Sequence, residues 1–159
     1  MLLEWLVWLD CDALIYKPID TNFIDLVLPS SKSITYLGRT GKFSECGFVG
    51  YNLDVSPTRE FLERFENFYK SGKLSELRET HDSFVFDQVM ATFEKQSRFH
   101  NINEDAASDK HPFMQSHLKN YMAHAKGPAK VRIQKKYLKR WKMKECYVAL
   151  LKLLHENNV

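Results

Sequence analysis

An apolar run at residues 6–9 that stops at two aspartates, Asp10 and Asp12, constrains the fold of this chain more than any other feature. Short runs rich in Val, Trp and Leu are typical of buried strands in a parallel sheet. Side chains two residues apart in a strand point to the same side, so both carboxylates are predicted to face one way at the carboxyl edge of the sheet. Open α/β sheets bind their ligands at that edge. The alternative interpretation is that the two aspartates only end a strand and begin a turn.

Two convergent carboxylates supply hard oxygen ligands of the kind that Mg²⁺ and Mn²⁺ prefer, and these ions usually also bind oxygens of a phosphorylated substrate. The composition suits an ordinary globular domain, because 44% of the 159 residues are apolar and 27% are charged. No stretch approaches the roughly 20 apolar residues of a transmembrane helix. The three cysteines form no Cys-x-x-Cys pattern, which favours a reducing compartment. A cytoplasmic protein is therefore expected.

Charge is distributed unevenly along the chain. Residues 126–152 hold ten Lys or Arg side chains and one acid, Glu145, whereas the rest of the chain is net acidic. Residues 135–159 are predicted to form a basic amphipathic helix, separate from a globular region at residues 1–134. Such a helix can attach a protein peripherally to an anionic membrane, and a solvated face with one packed side is the alternative. Binding to nucleic acid is not expected.

The globular region shows an alternating pattern of strands and helices. Apolar residues favour three strands, at residues 33–37, 47–53 and 98–102, and one short helical turn at residues 22–28. Ser56 is expected to cap a helix whose first residue is Pro57 and which Gly72 ends. Asp82 is expected to cap a second helix at residues 83–93. This alternation indicates an α/β fold.

Four stretches of the chain, taken in order, resemble motifs of glycosyltransferases of the GT-A fold. Residues 7–12, Val-Trp-Leu-Asp-Cys-Asp, with Pro18-Ile19 after them, resemble the family's metal-binding motif, in which an apolar strand ends in Asp-x-Asp. Residues 45–52 are similar to the strand that lines the sugar and acceptor pocket, and residues 81–88 to the segment that opens an active-site helix. Residues 124–130 fit the His-x-x-Gly-x-x-Lys pattern of the glycogenin-like branch.

The resemblance implies a Rossmann-like nucleotide-diphospho-sugar transferase domain, with a mixed sheet flanked by helices, and it implies roles for individual residues. The ligands of Mn²⁺ or Mg²⁺ would be Asp10, Asp12 and His124. The diphosphate of the donor would be bound by Lys130, Gly127 and Lys126. The sugar and acceptor pocket would include Glu45, Gly47 and Asn52. The catalytic carboxylate, which contacts the transferred sugar or activates the acceptor hydroxyl, would be that of Asp82.

The implied function is that of a metal-dependent, hexosyltransferase-like enzyme, which moves a sugar from a nucleotide-sugar donor to a glycan or another hydroxyl acceptor. In the family, nucleotide-binding strands and helices precede the Asp-x-Asp strand, and no such segment precedes residue 6 here. The resemblance therefore implies an incomplete domain that binds nucleotide-sugars poorly unless an upstream extension or a partner chain supplies the other half. The alternative function is that of a non-catalytic remnant or a regulatory partner of such an enzyme.

Overall fold

The computed structural model describes residues 5–93 and 98–124, which form an α/β fold. The strands in this part of the chain are β1 (Trp5–Leu9), β2 (Leu14–Ile15), β3 (Ile34–Leu37), β4 (Glu45–Asn52), β5 (Phe99–Asn101) and β6 (Met122–Ala123). Four of them form a mixed sheet in the order β1-β4-β3-β5, in which β1 and β3 run antiparallel to β4 and β5 runs parallel to β3. Strands β2 and β6 pair antiparallel as a separate small sheet. The predicted α/β fold with a mixed sheet is confirmed at this level.

Some of the predicted features lie outside the described residues. These are the basic amphipathic helix at residues 135–159 and the three residues assigned to the diphosphate, Lys126, Gly127 and Lys130. They stay predictions.

Within the described residues three α-helices flank the sheet: α1 (Thr21–Val27), α2 (Ser56–Lys70) and α3 (Asp82–Met90). Helix α2 differs from its prediction at the start, because Val55 occupies the cap position without a side-chain hydrogen bond and Ser56 is already helical. Proline at the second helical position still fits, since its missing N–H has no intrahelical partner there. The helix ends where expected: Gly72 follows with a φ of 73°, in the left-handed region that glycine adopts without strain.

The cap of helix α3 is His81 and not Asp82, which corrects the prediction from sequence. His81 Nδ1 accepts a hydrogen bond from the backbone N–H of Phe84 at 3.2 Å. A neutral imidazole nitrogen is an acceptor, so it satisfies one of the unpaired N–H groups of the first turn as a carboxylate would. Asp82 is the first residue of the helix, and its side chain is exposed. Its Oδ1 atom accepts a hydrogen bond from the backbone N–H of Ser83 at 2.7 Å, so Asp82 supports the first turn without being the cap residue.

Strand β1 is neither buried nor part of a parallel pair, contrary to the prediction. It pairs only with β4 among the described strands, in antiparallel register from Trp5 opposite Asn52 to Leu9 opposite Phe48. Leu6 and Trp8 are 52% and 58% exposed. An apolar sequence shows that a strand is suited to burial, but whether its side chains are buried depends on the elements that pack against it. Leu6 and Trp8 lie on the side of β1 that the described elements leave open, whereas Trp5 and Leu9 pack against the apolar cluster that contains Leu28 and Phe48.

Two apolar clusters occupy opposite faces of the sheet, and β4 contributes to both. Helices α2 and α3 cover the face that carries Cys46 and Val49, whereas α1 and the two short 3-10 helices within residues 112–120 cover the face that carries Phe48. In a regular strand Cys46 and Phe48 would share a face. The pairing of β3 with β4 shifts register between Thr35 and Leu37, which is how an irregularity in a strand redirects its side chains. This reversal centres on Gly47.

Candidate metal centre

A tight turn follows β1 and carries the Asp-x-Asp motif. The N–H of Asp10 donates to the carbonyl of Gly47 at 3.0 Å, and the N–H of Ala13 donates to the carbonyl of Asp10 at 2.9 Å, which closes a four-residue turn. The two aspartates therefore do not continue the strand geometry. The motif ends the strand in a turn, as the alternative interpretation expected, and its two carboxylates nevertheless converge on one histidine.

That histidine is His124, which directly follows β6. Its Nε2 atom lies 2.8 Å from Asp12 Oδ1 and 3.6 Å from Asp10 Oδ2. The small sheet explains how such distant parts of the chain meet: Leu14 pairs with Ala123, so the residues just before β2 lie beside the residue just after β6. One ligand atom from each of the three residues lies within 4.8 Å of the others. The structure thus brings together the three residues that the sequence analysis assigned to a metal.

Gly47 makes this approach possible. A Cβ atom built at position 47 would lie 2.9 Å from His124 Nδ1 and 3.2 Å from Asp10 Oδ2. The first distance is shorter than real Cβ contacts, so any side chain here would displace the imidazole or the carboxylate. Gly47 was assigned to the sugar and acceptor pocket, and the structure gives it an additional place between two of the candidate ligands.

The donor set fits a divalent cation. Ligands at about 2.1 Å from an octahedral ion lie about 3 Å apart when adjacent, and the separations of 2.8 and 3.6 Å bracket that value. The two carboxylates are partly exposed, whereas the His124 side chain is 2% exposed, so the ring is held in place by its surroundings. Two carboxylates with one imidazole suit Mn²⁺, and carboxylates with additional water suit Mg²⁺.

A cleft of about 400 Å³ opens beside this centre. Its walls are formed by Asp10, Arg39, Phe43, Glu45, Cys46, Gly47, His81, Asp82 and Ser83. Four of the residues singled out from sequence thus share one concave surface: Asp10, Glu45, Gly47 and Asp82. Concave sites of this size with a few convergent polar groups are typical of small-molecule binding sites.

Asn52 does not belong to this cleft, although it was assigned to the pocket. It lies at the other end of β4 from Glu45, about 24 Å away for a strand of this length. Its side-chain amide donates to the carbonyls of Ser30 and Lys32 at 3.2 and 3.1 Å. The residue is buried and holds two loop carbonyls, which is a structural role.

Two residues near the centre were not found from sequence. Arg39 lines the cleft together with Asp10, Glu45 and Asp82, and its Nε–H donates to the carbonyl of Phe43. His111 Nε2 lies 3.5 Å from Glu45 Oε2, and the His111 ring packs edge-on against His124 with centroids 5.3 Å apart. Both come from polar loops, in which a single Arg or His follows no local pattern. Only the fold brings them to the site.

Comparisons of the chain with protein-family models, with curated proteins and with solved structures found no match. Among the described residues, no helix is long and apolar enough to cross a membrane.

Proposed function

We propose that this chain is the metal-binding part of a glycosyltransferase of the GT-A type, acting on a nucleotide-sugar donor and a hydroxyl acceptor. The observation that carries the proposal is the convergence of Asp10, Asp12 and His124, three residues that the motif resemblance assigns to a single cation. The neighbouring cleft supports it, because Asp82 and Arg39 line the same cavity as Asp10.

In such a reaction the nucleoside diphosphate of the donor is the leaving group, and its negative charge must be stabilised as the bond to the sugar breaks. When bound by Asp10, Asp12 and His124, Mn²⁺ or Mg²⁺ would supply positive charge for that leaving group. The Arg39 guanidinium offers a second positive charge in the cleft, with a planar arrangement of donors that suits phosphate oxygens. Lys126 and Lys130 are proposed to add further charge to the diphosphate.

Asp82 is proposed to face the transferred sugar or the acceptor. Its side chain lines the cleft, where Oδ1 accepts from the Ser83 N–H, and the cap residue of helix α3 is His81. A carboxylate in this position can accept a hydrogen bond from a sugar hydroxyl or take up the proton of the acceptor hydroxyl. Because α3 is anchored by buried Phe84, Val85 and Phe86, the carboxylate is carried on a rigid element.

The second candidate is a non-catalytic partner that keeps the metal-binding fold. The exposure of Leu6 and Trp8 on β1 favours it, because an exposed apolar edge strand commonly binds another chain. The two candidates differ in one property, since only the transferase breaks the bond between sugar and diphosphate.

The test has two measurements on the 159-residue chain. Mn²⁺ binding is followed by the electron paramagnetic resonance of the free ion, and hydrolysis or transfer is followed with a panel of nucleotide-sugars. Wild type is compared with Asp12→Asn and with Asp25→Asn, which removes an exposed carboxylate from α1, remote in sequence from the motif. Binding and turnover that are both lost only in Asp12→Asn would support the transferase. Binding without turnover would support the partner, and no binding by wild type would refute both.

A further inference from the structure

A second group of metal-ligating side chains lies on the other side of the His124 ring. Glu45, His111 and His124 each place one ligand atom within 4.8 Å of the others. Glu45 Oε1 lies 3.8 Å from His124 Nδ1, and Glu45 Oε2 lies 3.5 Å from His111 Nε2. The three residues come from separate parts of the chain: the start of β4, the loop that ends at the 3-10 helix Pro112–Gln115, and the end of β6.

The group is shielded from water. The side chains of Glu45 and His124 are 7% and 2% exposed, and that of His111 is 25% exposed. The His124 ring also packs on Phe113, with ring centroids 5.1 Å apart. One carboxylate and two imidazoles, gathered where little water reaches them, can share a single cation.

The Nδ1 atom of His124 is a second indication that this group can bind a cation. It is buried, and no hydrogen-bond partner reaches it in the part of the chain that the structure describes. A buried polar atom of this kind is rare and needs an explanation. The other ring nitrogen, Nε2, lies 2.8 Å from Asp12 Oδ1, a distance at which a protonated Nε2 donates to the carboxylate. In that tautomer Nδ1 carries a free lone pair, which is what a metal ligand requires.

We propose that Glu45, His111 and His124 form a second cation site, for a borderline transition metal such as Zn²⁺. Tetrahedral coordination at about 2.1 Å separates ligand atoms by about 3.4 Å, close to the 3.5 and 3.8 Å measured here. Two imidazoles and one carboxylate are a common set of protein ligands for zinc, with the fourth position left for water or a ligand. Asp12 completes the arrangement, because a carboxylate that accepts from the opposite ring nitrogen orients a ligating histidine.

The two sites use opposite nitrogens of one imidazole. A neutral ring has a single lone pair for a metal, so His124 serves either the Asp10 and Asp12 side through Nε2 or the Glu45 and His111 side through Nδ1. Zinc at the second site therefore weakens manganese binding at the first, and by linkage manganese weakens zinc binding by the same factor. This inference does not depend on glycosyl transfer, since it concerns metal binding alone.

The experiment measures Zn²⁺ binding to the 159-residue chain by calorimetry and Mn²⁺ release by electron paramagnetic resonance. Wild type is expected to bind zinc and to release manganese as zinc is added. His111→Gln and Glu45→Gln should weaken zinc binding by more than about tenfold, the smallest effect seen even when an outer residue of a metal site is changed, and should retain manganese. Asp10→Asn is the matched control, because it lies outside the second group and should retain zinc while losing manganese.

Absorption spectra with Co²⁺ in place of zinc give an independent readout. A tetrahedral site with two imidazoles gives intense visible bands, and an octahedral oxygen-rich site gives weak ones. Intense bands in wild type that disappear in His111→Gln would support the proposal. It would be overturned by zinc affinity that is unchanged in His111→Gln, or by zinc binding that falls in Asp10→Asn as far as in His111→Gln. Circular dichroism of each variant shows whether its fold is intact. If Glu45→Gln unfolds, the zinc affinity of His111→Gln alone tests the proposal.

Discussion

Gly47 and His124 approach so closely that a Cβ atom at position 47 would lie 2.9 Å from the Nδ1 atom of the ring. Because glycine has no side chain, the imidazole has room to lie between two sets of carboxylates, with Asp10 and Asp12 on one side and Glu45 on the other. Binding of a cation on either side depends on where this ring sits, so position 47 controls the centre without offering a ligand of its own.

Substitution of Gly47 by Ala is therefore expected to weaken Mn²⁺ binding by about tenfold or more, as do changes in residues that orient a ligand. The added methyl group must also displace its neighbours, which typically reduces stability by about 1–3 kcal/mol. Gly50→Ala is the matched control, because it lies in the same strand and its Cβ would meet Leu28 Cδ2 at 2.6 Å, remote from the metal residues. Calorimetric titration with Mn²⁺ separates the two effects. Equal affinities in both variants would contradict the role of Gly47.

Asp82→Asn tests the catalytic assignment that belongs to the proposed function. The substitution removes the charge that would accept a hydroxyl proton, so sugar transfer should fall by about 10²- to 10⁴-fold. Manganese affinity should stay close to wild type, because Asp82 is not one of the candidate ligands. The urea midpoint should change little as well, because asparagine keeps an oxygen that can accept from the Ser83 N–H. His81→Ala is the counterpart that should lower stability by about 1 kcal/mol. Unchanged transfer in Asp82→Asn would remove this residue from the mechanism.

The outcome for these residues shows what a sequence of this kind can predict. Asp10 and Asp12 are only two residues apart, so a shared site for their carboxylates could be predicted, although they converge through a turn and not through the strand alternation on which the prediction was based. His124 could be predicted as a metal ligand because its spacing to Gly127 and Lys130 fits a motif. His111 had no such pattern, and its approach to Glu45 depends on how a long polar loop folds over the sheet.

Other differences have a similar origin. Asn52 and Glu45 belong to one strand, yet the length of the strand and the register shift beside it determine which of them reaches the cleft. The cap of α3 was assigned to Asp82 because acidic residues are favoured at that position, although the histidine before it accepts the hydrogen bond. Capping propensity ranks residue types, but the backbone geometry at the helix start determines which of two adjacent residues is the cap.

The first turn of α1 predicts a specific dependence of stability on pH. The hydrogen bond from the Phe23 N–H, followed by the one from the Tyr121 hydroxyl, holds the pKa of Asp20 below its ordinary value of 3.8. A lowered pKa in the folded state means that Asp20 stabilises the fold above pH 3.8 and that this contribution is lost as the pH falls through the lower folded pKa.

Urea unfolding of wild type and Asp20→Asn, measured as the pH is lowered from neutrality, checks this prediction. Asparagine keeps an oxygen acceptor for the cap but does not titrate, so the difference in stability between the two proteins should shrink at acidic pH. Asp25→Asn, which removes an exposed carboxylate from the same helix, is measured beside it as the comparison variant. A constant difference between wild type and Asp20→Asn would show that the carboxylate charge has no part in stability.

The two cysteines in the described part of the chain should differ sharply in reactivity. Burial raises the pKa of the Cys46 thiol from 9.0 to about 12, and the nearby carboxylates of Asp82 and Asp87 act in the same direction. Cys11 is exposed in the turn between the two aspartates. Because only the thiolate reacts, a difference of this size reduces the reactive fraction of Cys46 about a thousandfold at pH 8, and burial blocks the reagent as well.

Iodoacetamide treatment of the folded protein, followed by peptide mass mapping, should find Cys11 modified long before Cys46, and both should react at similar rates in urea. Rapid modification of Cys46 in the folded state would mean that the cleft wall next to Glu45 opens in solution.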